Sequence, residues 1–185
     1  MGNVGYRIIH CWGSRSRLHL AEYLWVLAMF SISAFLENNR IGLYLIPPFG
    51  ATLTILLAVP DASVAQPYAL VAGSVIGATV GTLLSFFSHG TLMAIVAAVA
   101  AFGIINLIHA YHPPGVALAM FPLLLHPGRW FPVAVVLPFT IIATGSATLL
   151  SRLVVGWPSY PKRLDSRDST QLRCNGKSCS GQMTR

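Results

Sequence analysis

The sequence predicts an all-α membrane protein with a two-fold internal repeat, each half holding full transmembrane helices and a short helix started by Pro-Pro. Three observations carry that expectation. Of the 185 residues, 55% are hydrophobic and only 9% charged, against about 25% charged in soluble domains. No Asp, Glu, Lys or Arg stands between Asp61 and Arg129, nor from Trp130 to Ser151. A proline- and glycine-punctuated pattern occurs twice.

A crossing helix needs about 20 apolar residues, so the long uncharged stretch holds at least two. The first segment runs from about Leu20 to Leu36 and stops at Glu37-Asn38-Asn39-Arg40; Tyr23 and Trp25 suit the interfacial belt. Ile41 to Val59 is interrupted by Pro47-Pro48-Phe49-Gly50 and closed by Pro60-Asp61. Proline lacks an N–H and disfavours helix in the residue before it, so a new short helix is expected from near Pro48, of about 16 Å and too short to span alone.

Tyr68 to Phe87 carries Gly73, Gly77 and Gly81, one bare stripe that lets a helix of this chain or of another approach closely, so a homo-oligomer is one option. Leu92 to Ile108 follows, leading through Asn106, His109 and Tyr111 to His112-Pro113-Pro114-Gly115. Val116 to Leu125 is a second short segment, closed by His126-Pro127-Gly128-Arg129, and Phe131 to Leu153 is the last crossing.

Placing Pro48 on Pro114, an offset of about 66 residues, lays Pro47-Pro48-Phe49-Gly50-Ala51 on Pro113-Pro114-Gly115-Val116-Ala117 and Thr82-Leu83-Leu84-Ser85 on Thr148-Leu149-Leu150-Ser151. The halves are then about 20–88 and 91–154, within a membrane domain over 20–155. If the short segments dip in and return, there are four crossings and parallel halves; if they span, there are six and the halves are inverted.

The net charge is +7, with Arg7, Arg15 and Arg17 before the first apolar segment and Arg152, Lys162, Arg163, Arg167, Arg173, Lys177 and Arg185 after the last. By the positive-inside rule a basic N-terminus (1–19) and a basic, disordered tail (156–185) are cytoplasmic, which in a bacterium means the inner membrane. The same charges could suggest nucleic acid, but no interleaved aromatics or recognisable fold accompany them. The repeat argues that Leu20 to Leu36 is retained rather than cleaved as a signal, and Tyr6 stands where myristoylation wants Ser or Thr. Cys11, Cys174 and Cys179 read as free thiols; Cys174 and Cys179 lack the neighbouring His of a strong zinc site.

A helix that starts inside a membrane presents unpaired N–H groups and a positive dipole end, so two facing starts would make a small-anion site. Its expected parts are Pro47, Pro48, Gly50, Pro113, Pro114 and Gly115, with His112 as principal side chain, Asn106 and His109 as further donors, and Arg40 as an anion attractor. The plainer alternatives are helix-end histidines bonded to carbonyls, Asn106 as packing glue, and a Glu37–Arg40 surface pair. Paired intramembrane carboxylates, a nucleophile elbow and a His-Glu metal set are all missing, so neither enzyme, metal nor cofactor is expected.

Around His112-Pro113-Pro114-Gly115, preceded by Ile-His-Ala-Tyr and followed by Val-Ala-Leu-Ala, the sequence resembles the HPP family of integral membrane proteins. Pro48-Phe49-Gly50-Ala51, Ala58-Val59-Pro60, Ala65-Gln66-Pro67 and the glycine-rich helix extend the resemblance over Ile46 to Leu150; Val116 departs from the more usual Ala. The resemblance implies a four-crossing membrane domain, and nitrite as a candidate substrate, since members in cyanobacteria and chloroplasts are associated with nitrite transport. The expectation is a transporter or channel for a small inorganic anion in the lipid bilayer. The alternative is a non-transporting module that binds a partner through its cytoplasmic tail, separable by truncation after Gly156. A cation pathway would need embedded acids and is disfavoured by helix N-termini.

Overall fold

The computed structural model describes residues 20–36 and 41–161. Its described residues form helices and turns, with no strand. In chain order the helices are α1 (Leu20–Leu36), α2 (Ile41–Ala58), α3 (Pro67–Ser85), α4 (Thr91–Leu107), α5 (Pro113–Leu118), α6 (Phe121–Leu125) and α7 (Leu137–Leu153). A 3-10 turn, Ser63–Ala65, precedes α3, and a π turn, Pro132–Val136, leads into α7. Two helical stretches are long and apolar enough to cross a membrane, Pro67–Ser85 and Pro132–Leu153.

The helix α3 is the hub, touching α4, α5, α6, α7 and the turns before α3 and α7. Pro67 sits at its start, where the missing N–H costs nothing. Its glycine stripe lies against the broken α5–α6 segment. A Cβ on Gly77 would run into Gly115 O, one on Gly81 into Ala119 O, and one on Gly115 into Gly73 O. The backbones therefore meet directly, and the stripe is filled within the chain.

Expectation and structure part at the first Pro-Pro. The helix α2 runs without a break through Pro47 and Pro48, so no new helix starts there. Proline removes intrahelical bonds, but Phe49 and Leu53, both 1% exposed, anchor the next turn, and Phe49 stacks on Phe139 of α7 at 3.7 Å between centroids. Packing of this kind keeps a proline-containing helix continuous in a bundle. The second Pro-Pro does open a helix, and that segment breaks again at Ala119 and Met120.

The α1 face of Trp25, Met29 and Ser33 is buried, and Trp25 Nε1 donates to Ser146 Oγ of α7 at 2.9 Å. Trp25 is thus a core residue rather than part of an interfacial belt. In α7, Leu137 N bonds Pro132 O across the π turn, just ahead of Pro138, whose ring and missing N–H disrupt regular α spacing. The expected tail begins too early: Trp157 and Tyr160 are buried. Trp157 meets Trp25 edge-on at 5.7 Å, and the Tyr160 hydroxyl donates to Ala65 O at 2.8 Å. Residues 154–161 form a strap across the bundle.

Candidate functional site

The connection from α4 to α5 is built by local rules. At the end of α4, Ala110 N bonds Ile105 O and His109 N bonds Asn106 O, with His109 left-handed at φ 55°. This is the Schellman closure, here with histidine in the place usually held by glycine. The His109 ring is exposed, and Asn106, also exposed, donates to Phe102 O of its own helix at 2.8 Å. Neither joins the buried site.

His112 does. It caps α5 in extended conformation and is fully buried. Its Nδ1 lies 2.8 Å from Val64 O in the turn before α3, and its Nε2 lies 3.1 Å from Thr52 Oγ1 of α2. A carbonyl only accepts, so Nδ1 carries the proton in that bond. The Thr52 hydroxyl also reaches Pro48 O at 3.1 Å. With the ring neutral, Thr52 donates to Nε2; with Nε2 protonated, the ring donates to Thr52 Oγ1 and Thr52 donates to Pro48 O. Turning one hydroxyl satisfies both states.

Of the other expected residues, Pro114 and Gly115 are buried beside His112, Pro113 is exposed, and Gly115 N bonds His112 O at 2.9 Å. Two prolines without N–H groups followed by a committed Gly115 leave the start of α5 with no free donor at its first three residues, so the facing-dipole site is not formed. Pro48 enters the site through its carbonyl, whereas Pro47 is exposed and Gly50 packs near the Phe30 ring, 3.1 Å from where its Cβ would be. Arg40, and Glu37 with it, lie outside the described residues. Among those described, no three His, Cys, Asp or Glu side chains gather where they could hold a metal.

Two participants in the site and two other buried polar groups were not legible as such. Thr52 looks like any helical threonine, Val64 contributes only a carbonyl, Glu22 is a buried acid in the first turn of α1, and the Ser74 hydroxyl is buried without a hydrogen-bond partner.

The profile of the family described as HPP, transmembrane region, matches residues 14–161. The chain belongs to the HPP transmembrane family. It is also 31% identical over 142 residues to a protein of Dictyostelium discoideum named as a transmembrane protein, covering 74% of this chain and 45% of that one. The chain thus spans less than half the length of this curated relative. No solved structure matches. The HPP chain is therefore a membrane protein, and the His112-Pro113-Pro114-Gly115 signature of the family falls on the buried crossing of α3 and α5.

Proposed function

We propose that this HPP protein is a transporter or channel for a small inorganic anion, with nitrite the first candidate, and that His112 handles a proton during the cycle. The carrying observation is the buried His112 ring, bonded to Val64 O and Thr52 Oγ1 and able to keep both bonds whether or not Nε2 is protonated, by rotation of one hydroxyl. Embedded ionisable groups are costly and mark pathways for ions or protons in membrane proteins. The resemblance to members associated with nitrite transport supplies the substrate to try first.

The contacts also support six crossings with inverted halves. Tyr160 bonds Ala65 O, His112 bonds Val64 O, Tyr68 bonds Ile108 O, and Trp157 meets Trp25. These contacts gather the start of α1 and residues 60–66, 108–112 and 154–161 at one end of the bundle. Gly90 N bonds Leu123 O, and the His89 and His126 rings lie 4.2 Å apart, gathering the α3–α4 connection and the one after α6 at the opposite end. Six crossings put each group on one side of the membrane; re-entrant short segments would divide both groups. The duplication offset supports the same reading, for it carries the Gly73–Gly115 crossing onto the Phe139–Phe49 stack.

The test is uptake into proteoliposomes holding the purified protein, comparing nitrite with nitrate, formate, chloride and sulfate, with and without a pH gradient. Wild-type protein should give saturable nitrite uptake that responds to the gradient, and His112→Ala should lower it at least tenfold and flatten the response. Unchanged uptake by folded His112→Ala would remove the histidine from the mechanism. No anion flux from folded wild type would overturn the transport reading and favour a partner-binding module.

A further inference from the structure

The Ala65-Gln66-Pro67 motif shapes the turn on which His112 rests. Proline disfavours helix in the residue before it, and Gln66 is extended at φ −65°, ψ 149°. Pro67 has no N–H, and α3 begins its bonding with Leu70 N to Gln66 O at 2.9 Å. The carbonyls of Val64 and Ala65 are thereby passed over by the helix that follows them. Acceptors in such a seam need donors from elsewhere.

Two distant side chains supply them. His112 Nδ1–H donates to Val64 O and the Tyr160 hydroxyl donates to Ala65 O, each at 2.8 Å. The Gln66 amide reaches back across the same turn, its Nε2 donating to Pro60 O at 2.9 Å and to Ala62 O at 3.1 Å. Tyr160 is itself seated, for its side chain is buried and its carbonyl accepts from the Ser151 hydroxyl at the end of α7. The acceptor that His112 uses is thus one of an adjacent pair, held by Gln66 from within the turn and by Tyr160 from the strap.

We infer that Gln66 and Tyr160 are positioning residues for His112, holding Val64 O so that Nδ1 keeps its proton and exchange is confined to Nε2, on the side of Thr52. The inference rests on the reading of His112 as the proton-handling group and deepens it by stating which nitrogen exchanges and what restricts it. The bond made by one ring nitrogen sets the protonation of the other. With Nδ1–H committed to Val64 O, the neutral ring has its lone pair on Nε2. A proton arriving there turns the Thr52 hydroxyl to Pro48 O, and its departure reverses the turn. A ring freed from Val64 O would carry its proton on either nitrogen and open a second route that bypasses Thr52.

The experiment records nitrogen NMR spectra of protein with isotope-labelled histidine in detergent, at about pH 8, above the ordinary histidine value of about 6.5. His112→Asn identifies the His112 signals. Wild type should show Nδ1–H alone at His112, exchanging slowly with water. In Tyr160→Phe and in Gln66→Met that proton should exchange about tenfold faster, the equivalent of weakening one neutral hydrogen bond, and an Nε2–H form should appear. Ser146→Ala removes a hydrogen bond between α1 and α7, away from the turn, and should leave both readings as in wild type. Should Tyr160→Phe not fold, Gln66→Met carries the readings alone. Gradient-driven nitrite uptake in proteoliposomes should fall severalfold in both turn variants.

An Nε2–H ring at His112 in wild type, or unchanged exchange in both turn variants, would overturn the inference whether or not the protein carries anions. A change in one turn variant only would strike the other residue from the role. Equal acceleration in Ser146→Ala would reduce the effect to general loosening and overturn it too. The expected spectra with uptake at the wild-type level would uphold the positioning and remove His112 from transport. The same spectra without any anion flux in wild type would uphold the positioning while sinking the transport reading.

Discussion

At the level of single residues, the glycines divide by what surrounds them rather than by spacing. Gly77 has Gly115 O where its Cβ would be, whereas Gly103 and Gly145 have nothing within 4 Å of theirs. Gly77→Ala must push α3 and α5 apart, costing about 1–3 kcal/mol as overpacking does, and should lower the thermal midpoint in detergent. Gly103→Ala fills open space on a helix and should be neutral or stabilising by up to about 1 kcal/mol. Equal effects from the two would refute the close crossing. The stripe at Gly73, Gly77 and Gly81 was readable from sequence because a period of four on a helix is a geometric fact. That Ser74 beside it lacks a partner was not, since a serine's rotamer depends on what the crossing brings near.

Among the elements, the strap at 154–161 changes most from expectation. Most of it was expected to open a polar tail, but Trp157 and Tyr160 fill the seam beside α1 and the turn before α3, and Ser151 Oγ lies 2.6 Å from Tyr160 O. A cut intended to remove only the tail therefore belongs after Pro161; one after Gly156 takes core residues with it. Tyr160→Phe leaves Ala65 O without this donor and should cost about 1–3 kcal/mol in thermal unfolding. Burial pushes the Tyr160 phenol above its ordinary value of 10.0. The folded protein keeps that proton while the unfolded chain releases it, so this group's contribution to stability should be flat below about pH 10 and fall above it. In Tyr160→Phe this component of the alkaline fall should be absent; an unaltered profile would show that the phenol is not sequestered. The uninterrupted α2 carries the same lesson, because proline weakens a helix locally while Phe49 and Leu53 are held by distant residues.

For the molecule as a whole, topology is the property that the contacts constrain most. With the three native cysteines changed to serine, single cysteines at Asp61→Cys and Arg129→Cys should react with a membrane-impermeant thiol reagent from opposite sides. Six crossings require that outcome. Labelling of both from the same side would restore the four-crossing scheme with re-entrant short segments.

The all-helical class, the membrane setting and the approximate limits of the long helices were legible in the sequence. Those features rest on local composition, periodicity and proline chemistry, which act within a few turns of chain. Long-range packing settled three further points: the first Pro-Pro stays helical, the expected facing helix starts do not form, and His112 is tied to Thr52 and Val64. Each depends on partners 48 or 60 residues away in the chain for His112, or on packing that outweighs local preference, and no local pattern encodes those meetings.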